Sequence, residues 1–360
     1  MVKSKQQTTI HDVARQLGVS STTVWRALNG SARVSEKTRA RVQALAKRLN
    51  YRPSLVAQTL STGKTQTLGV VVPMIGNPVH AAVVRGVEQV AFEHEYNIVL
   101  CDTDFRADRE RIYLDLLARR RVEGVAIVHF VRETDASLDA LMNLQQQGAA
   151  IVAMQVDAPD PRLMSVVPDN AAAARAMTEH LIDQGHRRVA FLHGGVDPWN
   201  TPMRQRLIGY RQALATRRIP LDKALIVQVG AFESALTDDA AAFWPDCVQA
   251  LVKKFGTPLA IFAPIDVLAI KIMQFLQSMK LRVPEDVAVA GFDDILMSGY
   301  TTPPLTTVRQ PSVEIGRRAA MRLFEHLAGQ VAQTPSCVRV PCEIVIRSSC
   351  GASMNGNVKI

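Results

Sequence analysis

Residues 8–53 read TTIHDVARQLGVSSTTVWRALNGSARVSEKTRARVQALAKRLNYRP. Capping residues and glycines divide this stretch into three short amphipathic helices. Thr9 is expected to cap the first helix, and Gly18 to end it, because the residue after a helix often needs a positive φ. Ser20 is expected to cap the second helix and Ser35 the third. Two short helices joined by a tight turn with glycine, and braced by a third, are typical of a helix-turn-helix DNA-binding domain.

The second helix, over residues 21–29, is the predicted reader of base edges. Ser21, Thr22 and Arg26 lie on its outward surface near the N-terminus, where recognition helices meet DNA. Arginine can donate two hydrogen bonds to O6 and N7 of guanine, whereas serine and threonine are less selective. The alternative is a basic helical bundle with a solvated surface, which agrees less well with the combination of caps, glycines and charge.

Positive charge is concentrated in the same part of the chain. The first 64 residues contain 12 Lys and Arg and two acids, Asp12 and Glu36, so this segment carries +10. The whole chain carries +9, which leaves −1 for the remaining 296 residues. This charge distribution indicates that the first segment binds a polyanion and that the nearly neutral remainder has a different function.

Length and composition limit the class of protein. A chain of 360 residues suits two or three domains, and 48% hydrophobic with 21% charged residues is typical of a soluble globular protein. The N-terminal sequence has no apolar h-region, and no run of about 18 uncharged apolar residues occurs, so we expect neither a signal peptide nor a membrane span. The five cysteines are never spaced as C-x-x-C, which favours free thiols in a reducing cytoplasm.

After residue 66, short apolar runs alternate with helical patterns. The predicted buried strands cover residues 68–72, 97–100, 124–128, 150–154, 189–192, 259–262 and 287–290. The predicted helices cover residues 80–93, 108–120, 136–146, 171–184, 204–215, 240–254, 267–279 and 313–328. This alternation predicts an α/β body of two doubly wound parallel-sheet subdomains, in which ligands meet the carboxyl ends of the strands.

The N-terminal stretch resembles lactose-repressor-type (LacI/GalR) transcriptional regulators. The resemblance lies in the elements D-V-A, G-V-S, T-V-x-R-x-L-N, V-S-x-x-T-R, L-N-Y-x-P and V-A-x-x-L, and further family motifs follow along nearly the whole chain. Trp25 stands where the family usually has a small serine, so the base preference of relatives need not carry over. The resemblance implies an all-α helix-turn-helix head and a periplasmic-binding-protein-like type I body, with a ligand cleft between its subdomains.

Four segments follow from the patterns and the resemblance together. They are a helix-turn-helix domain over residues 1–53, a hinge helix and linker over 54–66, an effector-binding and dimerisation body over 67–350, and a flexible tail over 351–360. The resemblance implies crossovers between the body subdomains near 164–168, 291–295 and 325–335. Pro53 suits the first turn of a hinge helix that is too short to be stable without a partner or DNA. A simple linker is the alternative for this segment.

The resemblance assigns residues to two sites. The DNA-binding residues would be Thr9, Ser20, Ser21, Thr22, Thr23, Arg26, Asn29, Ala57 and Leu60. Leu60 matches the leucine that wedges between central base steps when the hinge helices of two subunits pair in the minor groove. The effector-binding residues would be Asn77, His80, His129, Asp169, Trp199, Arg206, Asp266, Asp293 and Gln310. Carboxylates and arginine can hydrogen-bond to a polar effector, and tryptophan can stack on an apolar sugar face.

Structural roles are the alternatives for several of these residues. Asp293 and Asp294 could cap a helix or join the subdomains, and a lone histidine is as often structural as ligand-binding. Ile265 and Lys271 replace the asparagine and the small residue that are usual in the family, which indicates an effector other than a plain hexose or a weakened pocket. The G-K-T at residues 63–65 is only a fragment of a phosphate-binding loop.

The sequence therefore predicts a cytoplasmic, homodimeric transcription regulator, most often a repressor in this family, with a pseudo-palindromic operator. Its effector would be a small polar molecule such as a sugar or sugar acid, and neither a cofactor nor catalysis is expected. A transport-type sugar-binding protein would have no use for the basic head. A dehydrogenase would need G-x-G-x-x-G after a strand, and a glycosidase would need two opposed carboxylates. A non-specific nucleoid protein would bind DNA of any sequence.

Overall fold

The computed structural model describes residues 8–28, 33–51, 63–128, 136–156, 163–194, 201–230, 244–330, 337–351 and 357–359. The chain divides into two compact units, Met1–Thr65 and Gln66–Ile360. The predicted hinge helix after Pro53 lies outside the described residues.

The described part of the first unit contains three helices, α1 (Ile10–Leu17), α2 (Ser21–Leu28) and α3 (Glu36–Arg48). Hydroxyl side chains cap them, as predicted. The Thr9 hydroxyl accepts a hydrogen bond from the Asp12 N–H, and the Asp12 carboxylate accepts one from the Thr9 N–H at 2.9 Å, which completes a capping box. Gly18 ends α1 with a φ of 64°. The helices meet around three fully buried side chains, Val13, Val24 and Val42.

The second unit contains two sheets, and the first consists of parallel strands only. Its strands are β1 (Thr67–Val72), β2 (Asn97–Asp102), β3 (Gly124–Val128), β4 (Ala150–Met154), β5 (Met164–Pro168) and β11 (Cys337–Val340). They follow the order β11-β5-β4-β3-β1-β2. Strands β3, β4 and β5 are buried along their whole length, as expected for a sheet that is covered on both faces.

The second sheet is mixed. Its strands are β6 (Val189–His193), β7 (Ile226–Gln228), β8 (Leu259–Phe262), β9 (Val287–Asp293), β10 (Thr306–Arg309), β12 (Glu343–Val345) and β13 (Asn357–Lys359). They follow the order β13-β12-β10-β9-β8-β6-β7, and only the pairs β10–β12 and β12–β13 are antiparallel. Buried apolar side chains fill both faces of each sheet.

Eight helices cover the sheets in the part of this unit that the structure describes. They are α4 (Pro78–Glu93), α5 (Ala107–Arg119), α6 (Ala136–Gln146), α7 (Asn170–Asp183), α8 (Thr201–Thr216), α9 (Trp244–Phe255), α10 (Asp266–Ser278) and α11 (Ser312–Leu327). The predicted doubly wound α/β architecture is confirmed. Strands β5, β7 and β10 to β13 are additional to the seven that the sequence predicted.

The chain passes between the sheets three times. It leaves the first sheet after β5 at Pro168, and it returns at residues 310–311, since α11 packs on the first sheet through Ile315, Ala319 and Leu323. It leaves again at residues 341–342, between β11 and β12. The predicted crossovers near 291–295 and 325–335 are therefore wrong. Both β9 and β10 belong to the second sheet, and only long-range strand pairing reveals this.

Helices α4 and α11, which are far apart in sequence, cross at two glycines. A Cβ on Gly86 would collide with the carbonyl oxygen of Val313, and a Cβ on Gly316 would collide with the carbonyl oxygen of Val83. The two backbones are thus in direct contact at the crossing. This packing fixes a helix from near the end of the chain against the first sheet.

The prediction of a flexible tail over residues 351–360 is wrong at one point. Strand β13 pairs with β12 in antiparallel register, with Val358 opposite Ile344. This pairing supplies partners to backbone groups that would otherwise lie unpaired at the sheet edge.

Candidate functional site

In the first unit, the predicted DNA-binding hydroxyls divide into caps and exposed groups. The Ser20 hydroxyl caps α2, since its oxygen accepts a hydrogen bond from the Thr23 N–H at 3.1 Å and lies 2.9 Å from the Thr23 hydroxyl. Thr9 caps α1 in the same way. Thr22 is exposed and Arg26, one helical turn later, is partly exposed on the same face of α2. Thr22 and Arg26 thus share a solvent-accessible face of α2, and its contact with DNA bases stays a prediction.

Five of the predicted site residues lie outside the described residues, and their roles stay predictions. They are Asn29, Ala57, Leu60, His129 and Trp199.

In the second unit, Arg206 is buried at the carboxyl ends of the strands of the second sheet. Its Nε donates a hydrogen bond to Asn170 Oδ1 at 2.9 Å, and one of its terminal nitrogens donates to the carbonyl oxygen of Pro264 at 2.5 Å. The guanidinium carbon lies 3.5 Å from the ring centroid of Phe292. Burial lowers the pKa of Arg206 to about 10, although the nearby charge of Asp293 raises it.

Asp293 ends strand β9 beside this arginine. Its carboxylate accepts a hydrogen bond from the side-chain amide of Gln310. Burial and, to a lesser extent, the charge of Asp266 raise the pKa of Asp293 to about 8, while Arg206 and the hydrogen bond from Gln310 oppose the shift. Its φ is 134°, a value that residues with side chains rarely adopt and that persists mainly at functional sites. The structure thus brings together Arg206, Asp293 and Gln310.

Asp266, another predicted effector residue, has no exposed surface. Its carboxylate accepts hydrogen bonds from the hydroxyls of Ser298 at 2.6 Å and Thr307 at 2.5 Å, and from the N–H of Ile295 at 3.1 Å. Burial raises its pKa to about 6. In this conformation Asp266 cannot touch a ligand, and its position supports the loop after β9 instead. The direct contact that the sequence predicted is corrected to a positioning role.

The remaining predicted residues lie at the carboxyl ends of strands in the first sheet. Asp169 follows β5 and caps α7, where its Oδ1 accepts from the Ala172 N–H at 3.1 Å. Asn77 follows β1 and caps α4. His80 is buried, with Nδ1 2.8 Å from the carbonyl oxygen of Met74. These three side chains occupy the edge of the first sheet where α/β ligand sites form.

Some site residues were not predicted from the sequence. Asn170 orients Arg206, while Ser298 and Thr307 hold Asp266 from 32 and 41 residues away. His193 ends β6 and is buried, and this burial lowers its pKa. Asn170 and His193 follow the same rule as the predicted residues, since each is polar and lies at a strand end. Ser298 and Thr307 carry no such local signal.

The adjacent carboxylates Asp293 and Asp294 do not form an opposed pair. Asp293 accepts from Gln310, whereas Asp294 forms ion pairs of 2.7 Å with Arg309 and with Arg347. Asp294 therefore links the end of β9 to β10 and to the segment after β12 through these ion pairs. Among the described residues there is no cluster of three or more metal-ligating side chains. Over the same parts of the chain, none of the helices has the length and apolar character needed to cross a membrane.

Comparisons with known proteins agree with both units. Residues 9–54 match the family of bacterial regulatory proteins called the lacI family, and residues 178–350 match a periplasmic binding protein-like domain. The ribose operon repressor of Escherichia coli K12 is 36% identical over 327 residues, which cover 90% of this chain and 94% of the relative. The transcriptional repressor CytR of the same strain is 33% identical over 352 residues, covering 97% and 98%.

Solved structures share the fold over nearly the whole chain. A complex of the transcriptional regulator CelR with cellobiose is 28% identical, with a TM-score of 0.68 and coverage of 95% of this chain and 100% of that one. The lac repressor dimer bound to operator and the anti-inducer ONPF has a TM-score of 0.79, with coverage of 96% and 100%. At 24% identity, the second comparison bears on the fold alone.

Proposed function

Because the chain belongs to the lacI family of bacterial regulatory proteins, we propose that it represses transcription by binding operator DNA as a homodimer under the control of a small polar effector. The relatives are repressors, and the basic head of this chain provides the charge that DNA binding needs. Two heads in a symmetric dimer would read the two halves of a pseudo-palindromic operator.

One observation carries the effector part of this proposal. A charged arginine and a carboxyl group, Arg206 and Asp293, are buried together where the strands of the second sheet end. Burial of such groups costs free energy, and perturbed ionisable groups in this place mark functional sites. Gln310, which contacts Asp293, directly precedes the return of the chain to the first sheet. A ligand that contacts this group would therefore act on a connection between the subdomains.

The effector that suits these residues is a small polyhydroxylated molecule, a sugar or a related metabolite. Arg206 offers a planar fork of donors, and Asp293 accepts or donates according to its protonation. The ribose operon repressor and the regulator complexed with cellobiose point to the same class of ligand. Ile265 in place of an asparagine removes a polar contact, which favours an effector other than a plain hexose.

The first experiment is a selection of binding sites from a random duplex pool by the purified protein at fixed, physiological salt. We expect a two-fold symmetric motif with a flexible central step. Pentoses, hexoses, disaccharides, sugar acids and nucleosides are then tested for a change in operator affinity and in melting temperature. Enrichment without any motif would contradict sequence-specific regulation.

The relatives are regulators and not enzymes, and we propose that this chain likewise has no catalytic activity and acts in the cytoplasm. A turnover screen with the effectors found above tests the first point. Consumption of an effector by the purified protein would contradict it.

A further inference from the structure

We infer that the first subdomain, which comprises the first sheet and its helices, makes a second contact with DNA through three consecutive arginines. Arg119, Arg120 and Arg121, here called the arginine triplet, would bind phosphates of the duplex that flanks the operator. This inference rests on the proposed function, because the head must first place the protein on DNA. It adds a sequence-independent contact to the sequence-reading contact of α2.

The arginine triplet lies at the edge of the first sheet where β1 and β3 begin. Helix α5 ends at Arg119, and β3 begins five residues later beside β1 in parallel register. Glu123 ties the two together, since its Oε1 accepts from the N–H of Gln66 at 2.7 Å and its own N–H donates to Thr67 at 2.9 Å. Gln66 is the first residue of the second unit. The triplet therefore lies beside the point where the linker from the DNA-reading head enters the body.

The arginine triplet concentrates positive charge on an exposed surface. All three arginines are exposed, and they add three positive charges in a segment that carries −1 overall. The neighbouring acid Glu123 is engaged, since its second oxygen accepts from the Tyr96 hydroxyl at 2.7 Å. Guanidinium groups match phosphate oxygens in geometry and charge. This edge of the first sheet therefore suits a polyanion. Duplex DNA is the polyanion that we expect the head to bind.

A short segment of chain tethers the body to the head. Fifteen residues lead from Tyr51, where the described head ends, to Gln66. Even fully extended, such a segment spans no more than about 50 Å. DNA bound by the head is thus tethered to the triplet and meets it at a raised effective concentration, so that phosphate contacts too weak to act alone add to affinity.

The backbone at Arg121 offers a way to separate binding from stability. Arg121 follows the end of α5 with a φ of 52°, and its N–H donates to the Ala118 carbonyl oxygen at 3.0 Å. Glycine is the residue favoured in this left-handed position. We expect Arg121→Gly to raise the melting temperature while it removes one phosphate contact.

The experiment compares the wild type with a variant that carries Arg119→Gln, Arg120→Gln and Arg121→Gln. The control variant carries Arg211→Gln, Arg218→Gln and Lys280→Gln, which remove the same charge from exposed positions around the second sheet. Arg218 and Lys280 also follow helix ends with positive φ, at 55° and 60°. Each protein is titrated over a salt series with the selected operator, once with long flanks and once trimmed to the motif.

On the long duplex, the triplet variant should lose about 10-fold or more in affinity, with a salt slope shallower by about 0.9 for each lost phosphate contact. The control variant should match the wild type, and all proteins should bind the trimmed duplex alike. Equal slopes for wild type and triplet variant on the long duplex would overturn the inference, as would an equal loss on both duplexes. Failure of the proposed function would give a different result from failure of this inference, because the wild type itself would then show no preference for the operator.

Discussion

The ionisable side chains of Arg206, Asp266 and Asp293 are buried at one edge of the second sheet. Removal from water disfavours the charged form of each, which raises the pKa of both carboxyl groups and lowers the pKa of the arginine. The folded protein therefore binds protons more tightly at these carboxyl groups than the unfolded chain does. This difference makes stability depend on pH.

The first prediction concerns Asp293. Its pKa rises from 3.8 to about 8 on folding, so the stability that it contributes is fully present below pH 3.8 and is lost as pH rises through about 8. Asp293→Asn removes this group but keeps an oxygen that can accept from Gln310. The melting temperature of the wild type should fall more between roughly pH 6 and pH 9 than that of the variant. Asp169→Asn, at a helix cap on the first sheet, is the control, and equal falls in all three proteins would contradict the assignment.

The second prediction concerns Arg26, which shares a face of α2 with Thr22. Arg26→Ala should weaken operator binding by about 1–3 kcal/mol per half-site and relax the preference for one base pair. Arg48→Ala, on the exposed side of α3, is the control and should leave the base preference unchanged. The measurement is a repeat of the duplex selection with each variant. An unaltered motif for Arg26→Ala would assign base reading to other residues.

Single residues also show where sequence analysis stops. The strand-end rule and the family motif, both local in sequence, predicted Arg206 and Asp293 as effector residues, and the structure buries these two side chains together. They also suggested that Asp266 touches the effector, but Ser298 and Thr307 already occupy its carboxylate from 32 and 41 residues away. Contacts over such separations leave no trace in the spacing of one chain.

At the scale of elements, capping and periodicity predicted the helices of the head because these signals lie within each helix. The short edge strands β7, β12 and β13 were missed because each has only three residues and depends on its neighbour in the sheet. The crossing of α4 and α11 was also missed, because it depends on contacts between residues that are far apart in sequence. The sequence shows Gly86 and Gly316 but does not show that they face each other's backbone.

The third prediction tests that crossing. Gly316→Ala places a methyl group against the Val83 carbonyl oxygen, so the helices must separate and stability should fall by about 1–3 kcal/mol. Gly86→Ala should behave in the same way. Gly76→Ala is the control, since the nearest atom to its Cβ would be Met74 Cγ at 3.9 Å. Urea unfolding measures all three, and a neutral Gly316→Ala would show that the helices move apart freely.

At the scale of the whole molecule, effector and operator are two ligands of one protein. If the effector changes operator affinity by some factor, the operator must change effector affinity by the same factor. The fourth prediction is that Arg206→Lys weakens effector binding by roughly 10- to 100-fold, through loss of charged hydrogen bonds, and leaves operator affinity without effector unchanged. Calorimetry with and without operator measures both factors. A factor of one in the wild type, in which the effector leaves operator affinity unchanged, would contradict a two-site coupling.

The return of the chain to the first sheet matters during synthesis. Helix α11 and strand β11 come from residues 312–340, yet they complete a sheet whose first strand begins at Thr67. A ribosome must therefore synthesise the chain through β11 before either subdomain can close, whereas the last described helix of the DNA-reading head already ends at Arg48. A nonsense codon anywhere before residue 337 leaves both subdomains unfinished. Truncation alleles should accordingly behave as simple losses of the body, and effector-blind repressors should arise from missense changes only.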